Sequence, residues 1–243
     1  MLAKRLVEAE REVQPRVGGL KLHRMLREKL ESEEVYLGRD LFFEVLRNQA
    51  LLLEALPKAP RTTNSRHGLP VCSNLVKKLE LSGPNQAWVS DITYIRTREK
   101  FVYLSLITDK YSRKVVGYHV GRTLCAGETL KALTMAFDGL PEGARGPSHH
   151  SDRGCQYCSH EYMDRLEQAG LPISMTEEDH CAENAMAERM NGILKQEYFL
   201  NHGFRTVTQA RRAVDEAVHL YNTRRPHRAL NLRIPEQAHG VAA

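Results

Sequence analysis

Three carboxylic acids, Asp91, Asp152 and Glu188, have sequence surroundings that suggest chemistry. Asp91 lies in the middle of the apolar run AWVSDITYI, where a buried carboxylate needs a cation or hydrogen-bond donors to offset its desolvation. Asp152 follows the short run HHS and precedes Arg153-Gly154, which is typical of a turn at a strand end. Glu188 lies on the polar side of a long helical pattern. Taken singly, each also has a structural interpretation: a buried hydrogen-bonding Asp, a turn Asp and a solvated helix Glu.

Taken together, the three carboxylates could converge at one edge of a sheet. Their mutual repulsion would raise their pKa values unless cations neutralised them, and hard oxygen ligands suit magnesium or manganese. Two such ions can activate water or a 3′-hydroxyl and stabilise the leaving oxygen of an in-line phosphodiester displacement. The residue types therefore indicate metal-dependent phosphodiester chemistry.

The elements that must position these residues follow from hydrophobic periodicity. Three runs rich in β-branched and aromatic residues predict an antiparallel meander from Gln86 to Gly121. Helices and strands then alternate: a helix from Glu128 to Phe137, a strand from Ser148 to Ser151, a helix capped by Ser159 and reaching Gln168, a strand from Leu171 to Met175, and a helix from Cys181 to Phe199. Thr206 with Gln209 predicts a capping box that opens a last helix through Tyr221, ended by Pro226.

The first quarter of the chain has a different, purely helical pattern. Leu22, Leu26 and Leu30 recur with helical spacing after Gly19, and a second amphipathic pattern runs from residue 38 to residue 53. These predict a helix-turn-helix-like unit, for which plain packing and DNA recognition are equally open. Prolines and the polar segment RTTNSRHG then interrupt the pattern. We therefore divide the chain into a helical region (1–60), a linker (61–84), a catalytic core (85–200) and a C-terminal helix with a basic tail (201–243).

The composition is that of a globular protein with a basic end. Of 243 residues, 42% are hydrophobic and 27% charged, which is enough for one large or two modest domains. The formal net charge is +5, and the segment from Asn201 onward contains seven arginines and only three acids. Such a tail suits phosphate contacts, although a solvated basic face explains the charge equally well. No run approaches a membrane span and the N-terminus lacks an apolar signal core, so we expect no membrane association and a cytoplasmic location.

Five cysteines in a chain without a secretion signal indicate reduced thiols. Cys155 and Cys158 form one C-x-x-C, and His160, His180 and Cys181 follow it, so a structural zinc site is a possible alternative. No second spaced pair follows, which favours ordinary buried thiols.

Four segments of this sequence resemble a known family, the transposases of bacterial insertion sequences of the IS-three group, and specifically the second-frame product with an integrase core. The segments are WVSDITYIRT (88–97), HSDRGCQY (150–157), ENAMAERMNGILKQE (183–197) and YNTRRPHRAL (221–230). Between Asp152 and Glu188 lie 35 residues, the second interval of the D,D-35-E signature shared with retroviral integrases. The resemblance spans nearly the whole chain and is looser in the helical region.

The resemblance implies both a fold and a site. The fold would be α/β and ribonuclease-H-like: a mixed five-stranded sheet flanked by helices and preceded by a small helical region. Asp91, Asp152 and Glu188 would be the catalytic triad and the ligands of two Mg²⁺ or Mn²⁺ ions. Lys195, seven residues beyond Glu188, matches a family lysine that touches phosphate near the cut. We expect further DNA contacts from Asn184, Asn191, Arg224, Arg225, His227 and Arg228.

The implied activity is DNA transposition. Water would cleave the 3′ end of the element, and the freed 3′-hydroxyl would attack a second phosphodiester. Two alternatives stay open: a DNA-binding regulator without autonomous catalysis, and a general metal-dependent nuclease or ribonuclease H on the same fold. The implied partners are the element's terminal repeats, target DNA, further copies of this chain in a synapse, and a first-frame transposase protein. The protein would be nucleoid-associated when bound to DNA.

Two features depart from the family's usual pattern. Glu183-Asn184 stands where an Asp-Asn pair commonly precedes the catalytic glutamate, and Cys155, Cys158 and Cys181 occupy positions that are often small or polar. Neither departure removes a carboxylate of the triad.

Overall fold

A mixed five-stranded sheet forms the centre of the structure, a computed structural model that describes residues 2–54, 69–144, 146–177 and 183–240. The strand order is β3-β2-β1-β4-β5. The strands are β1 (Ala87–Arg96), β2 (Phe101–Asp109), β3 (Val115–Gly121), β4 (Ser148–Ser151) and β5 (Ile173–Met175). The first three pair antiparallel, whereas β4 pairs parallel with both β1 and β5. This topology confirms the predicted fold class.

Helices flank the sheet on both faces and also form the N-terminal region. They are α1 (Leu2–Val13), α2 (Gly19–Glu31), α3 (Arg39–Asn48), α4 (Ala126–Asp138), α5 (His160–Gln168), α6 (Ala185–Glu197), α7 (Val207–Thr223) and α8 (Pro235–Gly240), with a 3₁₀ turn at Arg228–Leu230. The sequence did not predict α1, because its buried face holds Ala3, Val7 and Glu10, and only one of these is a large apolar residue. Within the described ranges, no helix is long and apolar enough to cross a membrane.

The sheet has an apolar core on each face. On one face, strand residues such as Ile95 and Leu104 pack against Leu194 of α6 and Val214 of α7. On the other, Trp88 and Ile107 pack against α4 and α5. Because α7 shares the first core, the C-terminal helix packs as part of the catalytic unit, although the sequence division ended that unit at residue 200.

The predicted helix caps are present, one of them in altered form. The Ser159 side chain accepts a hydrogen bond from the Tyr162 amide, as predicted for α5. Thr206 likewise accepts from the Gln209 amide at 3.2 Å. The Gln209 side chain, however, accepts from the amide of Arg205 at 3.1 Å, one residue before the position that a full capping box would use.

The described part of the predicted linker lies against the core. The Leu75 amide donates to Ser174 Oγ at 2.9 Å, the Met175 amide donates to Ser73 O at 3.4 Å, and the Val76 side chain is buried. Residues 73–76 thus extend along β5. The polar segment 61–68 lies outside the described residues.

Helices α1 to α3 share a separate apolar core. Leu22, Leu26 and Leu30 of α2 pack against Phe42 and Leu46 of α3, as their helical spacing predicts. DNA recognition by this unit stays a prediction.

Ion pairs join this helical unit to the catalytic core. Glu197, the last residue of α6, accepts from Lys21 at 2.9 Å and from two nitrogens of Arg225 at 2.7 Å each. Arg224 makes a second bidentate pair with Glu10 of α1, at 3.0 and 2.7 Å. Burial lowers the pKa of Lys21 to about 8, with the neighbouring charge of Arg225 adding to the effect. Burial also opposes ionisation of Glu197, but Arg225 and Lys21 outweigh it and lower the pKa of Glu197.

We expect Glu197→Gln to lower the free energy of unfolding by roughly 3 kcal/mol, because removing one partner leaves the charge of Arg225 buried without compensation. Chemical denaturation measures this difference. The matched control is Glu236→Gln, whose pair with Lys114 is half exposed, so that the expected loss is below about 1 kcal/mol. Equal losses in the two variants would contradict a structural role for the Glu197 network.

Candidate active site

Parallel pairing of β1 with β4 brings Asp91 and Asp152 together. The register runs from Ala87 opposite Ser148 to Ser90 opposite Ser151. Asp91 and Asp152 are the next residues after these paired positions. Neighbouring strands lie roughly 4.8 Å apart, so residues that follow a shared register position stay close. Strand β4 ends at Ser151, whereas β1 continues to Arg96. A cleft therefore opens beside the second half of β1.

The cleft has a volume of about 300 Å³. Two acids and three tyrosines are among the side chains that line it. The lining residues are Asp91, Ile92, Thr93, Tyr94, Tyr103, Leu124, Asp152, Gly154, Cys155, Gln156 and Tyr157.

Asp91 has a strongly perturbed environment. Its two oxygens accept from the Ile92 amide at 2.9 Å and from Asn191 Nδ2 at 2.8 Å. Burial nevertheless raises the pKa of Asp91 to about 7, with the charge of Asp152 as the next cause and that of Glu188 as a smaller one. In the absence of a cation, Asp91 would therefore be only partly ionised at neutral pH.

Asp152 is held by the turn that the sequence predicted. Its Oδ1 accepts from the Gly154 amide at 2.9 Å. A Cβ atom at Gly154 would lie 3.0 Å from that same oxygen, so glycine gives the amide room to approach the carboxylate.

Glu188 stands apart from the two aspartates. It is exposed in the first turn of α6 and is not among the residues lining the cleft, although its charge reaches Asp91. In the described portion of the chain, no three His, Cys, Asp or Glu side chains lie close enough to hold one metal ion. The structure thus brings together two of the three predicted carboxylates.

Asn184 and Asn191 are buried beneath the cleft and are not placed to contact DNA as predicted. Asn184 Nδ2 donates to Ser90 O at 3.2 Å, and Asn191 donates to Asp91. The sequence contains a signal for this placement. Asn184 and Asn191 lie four residues before and three residues after Glu188, which puts both amides on the helix face that packs over Asp91. In the described regions, the amide oxygens of both residues are buried without a hydrogen-bond donor.

This donor set fits a hard divalent cation. Two carboxylates share one cleft, one of them with a raised pKa, and buried amide oxygens without donors lie on the adjoining helix. Oxygen ligands of this kind suit magnesium and manganese, and a bound cation would relieve the repulsion between Asp91 and Asp152.

A neutral histidine lies under the strand that carries Asp91. His149 is fully buried between Ser90 Oγ at 2.8 Å and Tyr162 OH at 2.9 Å. Burial lowers the pKa of His149 to about 3. The uncharged ring therefore links β1, β4 and α5 below the acids, a supporting role that sequence reasoning missed.

Lys195 of α6 lies over Tyr94 of β1, near Asp91. Its ammonium nitrogen is 4.3 Å from the centre of the Tyr94 ring. Burial lowers the pKa of Lys195, while the nearby charge of Asp91 opposes that shift. Lys195 is thus within electrostatic reach of Asp91, which suits the predicted phosphate contact.

The C-terminal cationic residues have separate roles. Arg225 is 3% exposed and bound to Glu197, and Arg224 is bound to Glu10, so the first cannot reach DNA and the second only through its exposed part. Burial and the charge of Arg225 lower the pKa of His227 to about 4, which leaves the ring uncharged at neutral pH. Of the four predicted contacts in this tail, only Arg228 is exposed without an ion-pair partner in the described chain.

The two cysteines of the C-x-x-C differ in environment. Cys155 is exposed in the cleft, whereas Cys158 is buried and donates to Met175 Sδ at 3.7 Å. Burial raises the pKa of the Cys158 thiol to about 11. His180 and Cys181, the more distant partners of the zinc alternative, lie outside the described residues.

The fold and the pair of acids place this protein in the class of integrase-type polynucleotidyl transferases with a DDE core. Two models of the integrase core domain match the chain, at residues 82–181 and 169–235. Cores of this class depend on divalent metal ions and act on DNA.

Relatives from bacterial insertion elements narrow this class. The 31 kDa protein of insertion element IS600 from Shigella sonnei is 36% identical over 226 residues, covering 90% of this chain and 83% of that protein. Transposase InsF of insertion sequence IS3A from Escherichia coli is 39% identical over 153 residues, covering 63% of this chain but 53% of that transposase. The chain belongs to the IS3-type family of insertion-sequence DNA transposases.

Solved structures agree in fold. The catalytic core domain of HTLV-2 integrase, solved with magnesium in a trimeric form, has a TM-score of 0.52 at 19% identity and covers 65% of this chain and 98% of its own. A chain of the simian T-cell lymphotropic virus intasome has a TM-score of 0.58 at 19% identity, and the match covers 91% of this chain and 74% of that one.

The raised pKa of Asp91 predicts how stability depends on pH. The folded state binds this proton more tightly than the unfolded chain, so metal-free stability should fall as pH rises from roughly 4 to 7, by up to about 4 kcal/mol relative to Asp91→Asn. Denaturation of both proteins in a chelator between pH 5 and pH 8 measures the difference, and Mn²⁺ should remove it at pH 8. Parallel pH profiles of the two proteins would contradict the assigned cause.

The Asn191–Asp91 hydrogen bond predicts a role in metal affinity. Asn191→Leu removes the side-chain donor that favours the charged form of Asp91, and should weaken Mn²⁺ binding by roughly 10- to 100-fold. Titration calorimetry without DNA measures this affinity. Gln196→Leu, on a different face of the same helix, is the control and should bind Mn²⁺ as the wild type does. Unchanged affinity in Asn191→Leu would mean that the amide does not act on the acids.

Proposed function

We propose that this chain cuts DNA at the 3′ ends of an insertion sequence and joins those ends to a second DNA site, with Asp91, Asp152 and Glu188 as the catalytic carboxylates. The observation that carries the proposal is the pair of aspartates beyond the β1–β4 ladder, of which Asp91 has its pKa raised to about 7. Two acids placed this way are costly unless a cation joins them. Membership of the transposase family supports DNA as the substrate.

Asp91 and Asp152 would hold the metal, which we propose to be two Mg²⁺ or Mn²⁺ ions, and the exposed Glu188 is the proposed third ligand. When bound, such ions activate the attacking hydroxyl group and stabilise the leaving oxygen of the phosphodiester displacement. Asn191 holds Asp91 and favours its ionised form, and the Gly154 amide donates a hydrogen bond that holds Asp152. These contacts fix the acids before DNA binds, which reduces the cost of ordering them during the reaction.

Positive charge for the DNA backbone is proposed to come from Lys195 and Arg228. Lys195 lies within electrostatic reach of Asp91, so its ammonium would contact a phosphate next to the cut, and Arg228 would contact DNA farther along. Arg225 is instead a structural residue of the Glu197 network.

The partners extend the same proposal. Transposition requires two element ends to be held together, so we propose that several copies of this chain assemble on DNA. We also propose a first-frame transposase protein as a partner, which the resemblance to second-frame products of this family implies.

The proposal predicts that Asp152→Asn and Glu188→Gln bind duplexes carrying the element ends yet lose cleavage and strand joining by at least roughly a thousandfold, because metal charge supplies several kcal/mol of transition-state stabilisation. Labelled duplexes in Mg²⁺ or Mn²⁺ measure both steps. Glu161→Gln, an exposed acid of α5, is the matched control and should stay active.

Each negative result of this experiment would favour a different alternative function. Wild-type protein that binds the ends but neither cuts nor joins them, even in Mn²⁺, would be a regulator. Protein that cuts without joining would be a nuclease, and cleavage retained in Asp152→Asn would remove the carboxylate assignment.

A further inference from the structure

Large apolar side chains are exposed in and beside the cleft that contains the acids. Tyr94, which is 38% exposed, and Leu124, which is 45% exposed, line the cleft together with Tyr103. Phe101, which is 49% exposed, lies against Tyr94 just outside that lining. Large exposed apolar groups that cluster beside a polar site are more often binding surfaces than scattered ones are.

Strand pairing explains why these rings share one face. Tyr94 lies opposite Tyr103 and Arg96 lies opposite Phe101 in the antiparallel β1–β2 ladder, and directly opposed residues point to the same side of a sheet. The Tyr94 and Phe101 rings meet edge to face with centroids 5.4 Å apart. Helices α4 and α5 cover the other end of this face, around Trp88 and Ile107, and leave the Tyr94 end exposed.

Cations border the rings. The Lys195 ammonium rests 4.3 Å from the Tyr94 ring centre, and none of the ion pairs in the described ranges includes Lys195. Arg96, Arg98 and Lys100 are exposed where β1 turns into β2. Exposed aromatic rings interleaved with basic side chains are typical of surfaces that bind single-stranded nucleic acid, where bases stack on rings and phosphates meet cations.

We propose that Tyr94 and Phe101 form a stacking platform for an unpaired base of the DNA end, while the adjoining phosphate contacts Lys195. The inference rests on the proposed function, because it takes DNA to be the substrate at Asp91 and Asp152. A cleft of about 300 Å³ has room for one nucleotide rather than a duplex. A base inside a duplex has both faces already stacked, so only an unpaired base can use the platform. The platform would thus open the helix end beside the scissile phosphate and hold Lys195 in place.

The test compares two DNA duplexes in a chelator, where no metal-dependent cutting occurs. One is fully paired, and the other has a few unpaired bases at one end with 2-aminopurine as the first of them. We expect the wild-type protein to quench 2-aminopurine and to bind the frayed duplex roughly five- to a hundredfold more tightly than the paired one. Tyr94→Ala and Phe101→Ala should abolish both effects, whereas Tyr94→Phe, which keeps the ring, should preserve them.

A control variant separates stacking on the rings from general surface effects. Met135→Ala removes an exposed apolar side chain of α4 that does not line the cleft, and should behave as the wild type does. Equal affinity for the two duplexes in the wild type, or a frayed-end preference retained in Tyr94→Ala and Phe101→Ala, would overturn the platform. A change of oligomeric state in Phe101→Ala, with DNA preference intact, would show that the rings face another protein copy instead.

Duplexes of the same design that carry the element-end sequences, assayed in Mg²⁺, distinguish failure of the stacking platform from failure of the proposed function. Cleavage without a frayed-end preference would overturn the platform alone. A frayed-end preference and quenching without any cleavage would overturn the proposed catalysis and leave the platform standing.

Discussion

The parallel pairing of β1 with β4 is the constraint on which the site depends. Its register places Asp91 and Asp152 at equivalent positions just beyond the shared ladder, so two like charges are brought together by backbone hydrogen bonds. Much of the surrounding structure compensates for that repulsion. Asn191 and the Ile92 amide donate to one acid and the Gly154 amide to the other, and Lys195 adds a positive charge nearby. Burial, with the charge of Asp152 as the next cause, still raises the pKa of Asp91 to about 7, so these contacts do not fully offset desolvation and repulsion without a cation.

Helix α6 connects the site to the rest of the molecule. Its first turn carries Glu188, its middle carries Asn191 and its last turn carries Lys195. Its last residue, Glu197, anchors the N-terminal helical unit through Lys21. Its apolar side packs on the sheet with α7. The same helix therefore positions the acids, supplies a phosphate contact in the proposed mechanism and joins the two parts of the chain. A change in the Glu197 network would act on a helix that touches the acids directly.

Most of the fold was predictable, because each core element has a strong periodic signal. The meander, the strand from Ser148 to Ser151 and the capped helix ending at Gln168 follow from alternation and capping residues, and all are confirmed. Helix α1 was missed because its buried face contains Glu10, whose partner Arg224 is more than two hundred residues away. No local pattern reports such a pairing.

The site was predictable in its residue types and less so in its contacts. Asp91 and Asp152 could be paired from strand order, but which polar residues support them depends on how α6 crosses β1. Asn184 and Asn191 read as surface residues because amides are usually exposed, and only the packing shows them buried under the acids. Arg225 was predicted to contact phosphate because arginine side chains are usually exposed. Its burial depends on Glu197, which lies on a different element and could not be paired with it from the sequence.

The most direct test of the account is the position of manganese, read from its anomalous scattering in crystals of the protein grown with Mn²⁺. We predict a peak within roughly 2.5 Å of carboxylate oxygens of both Asp91 and Asp152. A fully occupied manganese site elsewhere in the chain, with none between these two acids, would contradict the claim that the β1–β4 pairing builds a metal-dependent catalytic centre.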